Sequence, residues 1–127
     1  MFDLGGKLIS KFGKQGNKDG EFNQPCCLSV NKQGLLMVCD AGNHRVQLFE
    51  LSGKFVTKFG SEGSQRGEFR FPRSLANLSD GRIVVCEMNN HRIQVFDEIL
   101  SMFLPVVLLL KSSNWSSRIL NFSNNTI

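Results

Sequence analysis

The sequence has few of the residues from which active sites are usually built. It contains two histidines, one tryptophan and no tyrosine. No Ser-His-Asp order or pair of carboxylates stands out, and the stretch between Gly16 and Gly20 lacks the Lys and Ser/Thr of a nucleotide-binding loop. We therefore expect a protein that is not an enzyme and has no catalytic residue, cofactor or small-molecule substrate.

The four cysteines form no Cys-x-x-Cys pair, and neither histidine stands at metal-ligand spacing from a cysteine. No metal site is expected. Cys39 and Cys86 lie within apolar runs, so we expect buried, reduced thiols, with disulfide bonding as the alternative. The first residues show no charged start followed by an apolar run, and so no secretion signal. A cytoplasmic location is expected.

Apolar runs long enough for a membrane helix are also missing. The stretch at 103–110 is too short to span a bilayer, and Pro105 interrupts it. A membrane-seeking tail is the alternative, but no membrane partner is expected. Three Asn-x-Ser/Thr sequences follow in this tail, and without a secretion signal we interpret them as coincidence.

Charge of one sign is only slightly in excess. The net charge is +4, but Lys111 and Arg118 of the tail supply half of it, which leaves +2 for residues 1–98. A nucleic-acid partner would require basic residues clustered on one face, and net charge alone does not predict one.

What the sequence does contain is a repeat. Residues 1–50 align without a gap on residues 48–97, and 21 of the 50 positions are identical. The most similar stretch, 38–49, returns as 85–96, so the period is 47 residues. Self-similarity at a fixed period of this length indicates a repeat architecture.

Each period predicts four short strands that follow one another as a meander. Glycine- and proline-containing loops separate the apolar runs. The run 35–39 is apolar on both faces, which predicts a strand covered on both sides. Repeated four-stranded sheets that sandwich one another form a propeller, and stacked solenoid layers are the alternative.

Both copies resemble the NHL repeat, and most closely the C-terminal NHL propellers of tripartite-motif (TRIM) proteins. The resemblance covers residues 1 to about 98. It rests on Phe59-Gly60, Gly63, Gly67-Glu68-Phe69, Pro72, Gly81, Ile83-Val84-Val85 and Asn90-His91-Arg92-Ile93-Gln94-Val95-Phe96, and on their counterparts in the first copy. It implies an all-β, partial β-propeller of four-stranded antiparallel blades in an incomplete ring, because the family's closed ring has about six blades.

The sequence departs from the family pattern at several positions. Cys27 and Ser74 stand where the family usually has glycine, and in the second copy Glu87 stands where the first keeps Asp40 and Asn77-Leu78 replaces the usual Val-Asp. These departures predict that the second copy is a degenerate blade.

The period also predicts the domain bounds. Residues 1–13 would be the outer strand of a preceding blade, 14–60 the first blade, and 61–98 a second blade lacking its last strand. Residues 99–127 break the pattern and are interpreted as a non-repeat tail, disordered or non-native.

Two repeats are fewer than the roughly three that a stacked array needs, so open edges and bare apolar faces predict marginal stability or self-association.

The repeated Asn-His-Arg sequences permit a catalytic interpretation, because histidine exchanges protons near neutral pH. Their repetition favours structure, because an active site is usually made once whereas a turn is made in every repeat. We therefore predict structural turns formed by Asp40, Asn43, His44, Arg45, Asn90, His91 and Arg92.

A basic loop face is the predicted binding surface. In a propeller, the loop before the first strand and the turn between the second and third strands emerge on the same side. This side would carry Lys18, Arg66, Arg70, Phe71 and Arg73, with Arg45 and Arg92 nearby. Guanidinium groups hold phosphates, and an exposed aromatic ring can stack on an unpaired base. The alternative is solvated loop charges, offset by Glu62 and Glu68.

The resemblance implies a non-catalytic scaffold that docks proteins and recruits substrates for a TRIM-type ubiquitin ligase, whose catalytic RING would lie upstream of this sequence. The alternative function is binding of single-stranded or stem-loop RNA through the basic loop face.

Overall fold

The structure, a computed structural model, describes residues 1–97 and 119–120. The first sheet consists of β1 (Pro25–Val30), β2 (Leu36–Asp40), β3 (Arg45–Phe49) and β4 (Phe55–Phe59). The second sheet consists of β5 (Pro72–Asn77), β6 (Ile83–Glu87), β7 (Arg92–Phe96) and β8 (Ile119–Leu120). A 3-10 turn, Ala41–Asn43, joins β2 to β3. No helix in the described part of the chain is long and apolar enough to cross a membrane.

The two sheets are built in the same way. Each pairs its strands antiparallel in chain order, and Cys39 opposite Val46 in the first sheet corresponds to Cys86 opposite Ile93 in the second. An irregularity follows the proline that begins β1, and another follows the proline that begins β5. The prediction of an all-β partial propeller with antiparallel blades and an open ring is therefore confirmed.

The outer position of the second sheet differs from the sequence prediction, which left the second blade without its last strand. Three strands lie within 72–96, and Ile119–Leu120 occupies the fourth position by pairing with Val95 and Phe96. The free edge of β7 presents unpaired backbone groups, and an extended segment from elsewhere in the chain satisfies them. Otherwise the tail prediction lies outside the described residues, and the domain bounds stay a prediction.

Residues 1–13 form part of a hairpin. Phe2 bridges Leu8 antiparallel, and this pair corresponds by the period to Phe49 opposite Phe55 in the first sheet. The Asp3 carboxylate accepts hydrogen bonds from the backbone of residues 5 and 7 and so holds the turn. The predicted outer strand of a preceding blade is thus present as a single bridge.

The core lies between the two sheets. Side chains of alternating residues on β2 and β3 face side chains of β5, β6 and β7, and both sets are buried. In β2 the consecutive residues Met37, Val38 and Cys39 are all buried, so this strand is covered on both sides, as its doubly apolar sequence predicts. The main contributors are Met37, Cys39, Val46 and Leu48 from the first sheet and Leu75, Ile83, Val85 and Phe96 from the second.

Two triads of phenylalanine rings repeat with the period. In the first, the rings of Phe12 and Phe22 lie 5.2 Å and 5.5 Å from the ring of Phe49. The second triad is Phe59, Phe69 and Phe96, with corresponding ring separations of 4.9 Å and 5.6 Å. The second triad joins β4, the following loop and β7, and the first joins Phe12 and the loop residue Phe22 to β3. Aromatic pairs at these distances are stabilising.

The cysteines agree only in part with the expectation of buried thiols. Cys39 is buried, and burial raises the pKa of its thiol. Cys86 occupies the same repeat position but is exposed, because among the described residues no further sheet covers that face as the second sheet covers Cys39. Cys26 is also exposed, and its thiol donates to the carbonyl oxygens of Pro72 and Arg73 at 3.4 Å.

Candidate functional site

A buried carboxylate organises the β2–β3 turn. Asp40 is fully buried and accepts hydrogen bonds from the side chains of Asn43 at 2.9 Å, Arg45 at 2.7 Å and Gln47 at 3.0 Å. It also accepts from the backbone N–H of Asn23 at 2.7 Å. A buried charge is tolerated when it is paired and hydrogen-bonded in this way.

Arg45 extends this network into the loop before β1. Its Nη1 donates to the carbonyl oxygen of Asn17 at 3.0 Å, and its Nη2 donates to those of Lys18 and Glu21 at 2.8 Å and 2.9 Å. The ion pair between Asp40 and Arg45 therefore ties the turn to the loop.

The second repeat keeps the same network with a longer acid. Glu87 is buried and accepts from Asn90 at 2.6 Å, Arg92 at 2.5 Å and Gln94 at 2.8 Å, and from the backbone N–H of Arg70 at 3.2 Å. The exchange of Asp for Glu leaves every type of partner in place. The prediction that this departure makes the second copy degenerate is therefore wrong at this position.

Two of the predicted basic residues are not available to a ligand. Arg92 donates to the carbonyl oxygens of Ser64, Gln65 and Glu68, as Arg45 does in the first repeat. These guanidinium groups donate to backbone carbonyl oxygens of the loop and belong to the network of the turn. The suggestion that Arg45 and Arg92 add to the basic face is corrected accordingly.

The sequence analysis missed two residues of these networks, Gln47 and Gln94. Each donates from Nε2 to the buried carboxylate and to a loop carbonyl, and its Oε1 accepts from a loop glycine N–H at 3.0 Å. The repeat could have identified them, because glutamine occupies the same position in both copies.

His44 links the two sheets. It adopts a left-handed conformation with φ of 54°, and its Nδ1 accepts a hydrogen bond from the backbone N–H of Phe71 at 3.2 Å. The two rings meet edge to face at 4.7 Å. Nδ1 must be unprotonated in this bond, and Nε2 lies 4.0 Å from the exposed carboxylate of Glu62. His91 has the same backbone conformation but is exposed.

Neither histidine belongs to a recognisable catalytic group. Within residues 1–97 and 119–120, no three side chains of His, Cys, Asp or Glu come together in a way that could hold a metal ion. His44 contacts a backbone N–H and an aromatic ring, which is the environment of a structural residue.

The loops and turns at one end of the sheets form a common surface, here called the loop face: residues 13–24, 41–44, 60–71 and 88–91. The N–H of Gly42 donates to the carbonyl oxygen of Asn23 at 2.8 Å. In the second repeat the N–H of Met88 donates to the carbonyl oxygen of Phe71 at 3.1 Å, and the N–H of Asn89 donates to the carbonyl oxygen of Arg70 at 3.2 Å. Turn and loop thus lie together in both repeats.

Three arginines of the second repeat are exposed at or beside the loop face. Arg66, Arg70 and Arg73 are all exposed, and none forms an ion pair with an acid among the described residues. Lys18 is exposed in the corresponding loop of the first repeat. Phe71 is half-buried against His44 and is not a free stacking platform.

A cleft lined by amide side chains lies on the loop face of the first repeat. A cavity of about 390 Å³ is lined by Gln15, Gly16, Asn17, Asn23 and Asn43. A second cavity, of about 450 Å³, shares Gln15 and Asn23 with it and reaches Gln24 and Pro25. We call the four residues Gln15, Asn17, Asn23 and Gln24 the amide cleft, because the Asn43 amide already donates to Gly16 and Asp40. Amide groups both donate and accept hydrogen bonds, so this cleft matches a polar ligand such as a peptide backbone.

Comparisons with known proteins agree with the repeat. A family model described as NHL repeat matches residues 22–49 and 69–96, which are corresponding stretches of the two repeats and contain Asp40 and Glu87 with their asparagine, arginine and glutamine partners. The chain is also 45% identical over 38 residues to the B-box type zinc finger protein ncl-1 of Caenorhabditis elegans. That match covers 30% of this chain and 4% of the nematode protein, so the chain spans only a small part of this relative.

Proposed function

Because the chain carries two NHL repeats, we propose that it is a docking segment that recruits polypeptide substrates for a TRIM-type ubiquitin ligase in the cytoplasm. NHL repeats are generally non-catalytic scaffolds for protein interaction. The similar nematode protein is named as a B-box zinc finger protein, which supports a parent protein of the tripartite type.

Two features of the described residues carry this proposal: the amide cleft of the first repeat and the exposed arginines of the second, which form no ion pair there. An extended peptide has one donor and one acceptor per residue, and amide side chains satisfy both. Arg66, Arg70 and Arg73 form no ion pair with an acid of the described residues, and guanidinium groups form strong, often bidentate, hydrogen bonds with carboxylates. The ligand class that fits both features is an acidic segment of a protein.

RNA binding is the second candidate, favoured by the same unpaired guanidinium groups. Two features count against it. The half-buried Phe71 ring already contacts His44 edge to face, and Arg45 and Arg92 hold loop carbonyls. The first candidate is therefore the better supported.

The test uses two triple variants with the same charge change. The first is Arg66→Glu, Arg70→Glu and Arg73→Glu on the loop face. The control is Lys7→Glu, Lys32→Glu and Lys54→Glu, three exposed lysines in or beside turns outside the loop face. Partners are captured from nuclease-treated lysate by crosslinking, and the crosslinked segment is synthesised and titrated against each protein. We expect the arginine variant to bind that peptide at least about tenfold more weakly and the lysine variant to bind it as the unmodified chain does.

The same proteins are titrated with a labelled single-stranded RNA at two salt concentrations. Capture that is lost on nuclease treatment, together with RNA binding that falls steeply with salt, would replace the proposal with RNA binding. Equal peptide binding by both triple variants would place the site elsewhere on the chain.

A further inference from the structure

Two cysteines of the first sheet lie directly opposite each other. Cys27 of β1 is the partner of Cys39 of β2 in the antiparallel register. Directly opposite residues share one face of a sheet. Here Cys39 belongs to the core between the sheets and Cys27 packs against that core. A side-chain hydrogen bond joins the two thiols, so their sulfur atoms are neighbours in the folded chain.

This arrangement suits a disulfide bond. Opposite residues of an antiparallel pair have Cα atoms about 4.5–5.5 Å apart, and a disulfide spans Cα separations of about 4.4–6.8 Å. We propose that Cys27 and Cys39, here called the thiol pair, are a reversible oxidation site, which hydrogen peroxide converts to a cross-strand disulfide and small thiols reduce again. Intracellular disulfides of this kind are transient and sense redox state. This inference goes beyond the proposed function and does not depend on it.

The exposure of the two thiols decides the order of the steps. Cys27 is half-buried and can meet peroxide, whereas Cys39 is fully buried. The Cys27 thiolate attacks one oxygen of hydrogen peroxide, the O–O bond breaks, and the departing hydroxide takes up the former thiol proton as water, which leaves a sulfenic acid on Cys27. The Cys39 sulfur then attacks the Cys27 sulfur. The S–S bond forms, the S–O bond breaks, and the second hydroxide leaves with the Cys39 proton as water.

The environment of Cys39 restricts its reactions to this partner. Burial raises the pKa of the Cys39 thiol and keeps reagents in solution away from it. A group held beside its reaction partner nevertheless reacts as though it were present at a very high concentration. Cys39 therefore resolves a sulfenic acid on Cys27 and is otherwise inert. Reduction reverses the bond, because two molecules of a small thiol give back both cysteines and leave as their own disulfide.

The other two cysteines have different neighbours. Cys26 is the extra residue at the irregularity of β1, and its thiol donates to the carbonyl oxygens of Pro72 and Arg73 at 3.4 Å. Cys86, the counterpart of Cys39 in the second sheet, lies opposite Ser74 and so cannot form the same bond. The register thus singles out Cys27 as the partner of Cys39.

The disulfide would clamp the end of the β1–β2 hairpin that holds the amide cleft. Cys27 lies three residues after Gln24 of the cleft. Cys39 directly precedes Asp40, whose carboxylate accepts the N–H of Asn23. The bond also closes the loop between the two cysteines in the unfolded chain and so lowers the entropy of the unfolded state. We expect the oxidised chain to melt at least about 5 °C above the reduced chain.

The test compares two variants of the full 127-residue chain that each keep two cysteines. The first, Cys26→Ser with Cys86→Ser, keeps the thiol pair and replaces two exposed residues. The control, Cys27→Ser with Cys86→Ser, keeps Cys26 beside Cys39. Each folded protein is treated with hydrogen peroxide, the remaining thiols are alkylated, and intact and tryptic masses are measured.

The unmodified chain and the first variant should lose two hydrogens within one monomer. They should also yield the tryptic peptide 19–32 joined to the peptide 33–45, and dithiothreitol should separate the two. The control should not form this link. Differential scanning calorimetry of the first variant, oxidised and reduced at one protein concentration, measures the change in melting temperature.

Four results would each overturn the proposal. They are oxidation of the folded first variant to sulfinic acid without a disulfide, an equal yield of disulfide in the control, a disulfide that forms only in urea, and an oxidised chain that melts no higher than the reduced one. A variant whose circular dichroism shows unfolding is replaced by the one with alanine in place of serine, with the same outcomes.

Discussion

At the scale of single residues, the fold depends on a buried acid in each repeat. Asp40 and Glu87 differ in length, yet both accept from an asparagine, an arginine, a glutamine and a loop N–H. Charge and acceptor capacity are therefore required at this position, whereas side-chain length is not.

Asp40→Ala should destabilise the chain by about 3 kcal/mol or more, because it leaves the buried guanidinium of Arg45 without its carboxylate. Urea unfolding followed by circular dichroism measures the change. Asp40→Glu is the matched control and should cost much less, since Glu87 fills this role in the second repeat. Equal losses in the two variants would show that the carboxylate itself does not matter.

Alanine substitutions at Gly60 and Gly34 distinguish the cost of backbone strain from the cost of steric crowding. Both have positive φ, at 95° and 80°, but a Cβ at Gly60 would overlap the Phe69 ring whereas a Cβ at Gly34 would meet open space. Gly34→Ala should cost about 1 kcal/mol from strain alone. Gly60→Ala should cost about 2 kcal/mol more, because the second phenylalanine triad must shift. Denaturant midpoints of the two variants test this, and similar midpoints would contradict it.

The carboxyl of Glu21 should titrate below its usual range. The backbone N–H of Lys18 donates to it at 3.0 Å and lowers its pKa, and the Lys14 ammonium at 3.3 Å adds to this. A lowered folded-state pKa stabilises the fold above the unfolded-state pKa, and this contribution is lost as pH falls through the folded value. NMR titration of the carboxyl carbon checks the direction. A Glu21 pKa at or above the ordinary value would refute the assignment.

At the scale of elements, equivalent strands occupy different environments. β1 and β5 have twin sequences and twin registers, but β5 packs on the first sheet whereas the apolar side chain of Leu28 in β1 points outward. The same side-chain type therefore contributes differently to stability in the two strands.

Leu75→Ala and Leu28→Ala compare the two strands directly. Leu75→Ala should destabilise the chain by about 3 kcal/mol, because it leaves a cavity between the sheets. Leu28→Ala should change stability by less than about 0.5 kcal/mol at a protein concentration low enough to keep the chain monomeric. Chemical unfolding at about 1 μM provides the comparison. A loss at Leu28 as large as that at Leu75 would mean that the Leu28 side chain is covered in the monomer.

At the scale of the whole molecule, two four-stranded units share one core. The first sheet has residues 1–13 on one side and the second sheet on the other, whereas Cys86 and Ile93 of the second sheet are exposed. A fold that leaves apolar sheet faces open is stabilised by whatever binds them.

The melting temperature should therefore rise with protein concentration. Differential scanning calorimetry between about 5 μM and 200 μM should show an upward shift of several degrees, because association favours the folded state by mass action. Ile93→Asp should abolish the shift, and Leu51→Asp should retain it. A melting temperature independent of concentration in the unmodified chain would contradict self-association.

The sequence predicted much of the fold because the repeat gives each observation twice. The period makes Phe22 and Phe69 counterparts, and each ring belongs to one of the two phenylalanine triads. The contacts of individual side chains were harder to predict. Arg45 and Arg70 look alike in sequence, yet one guanidinium holds loop carbonyls while the other is exposed. The difference arises because Arg45 begins β3 beside a buried acid, a neighbour that only the folded chain brings close to the loop.

The sequence by itself determined the unit: its length, its four strands, its turns and its phenylalanines, because these follow from local pattern and from a period of 47 residues. The tertiary structure decided which of two identical positions is covered. Cys39 and Cys86 have the same local surroundings in sequence, and one is buried while the other is exposed. Burial depends on what lies across the face of a sheet, and neither the residue nor its neighbours along the chain encode that.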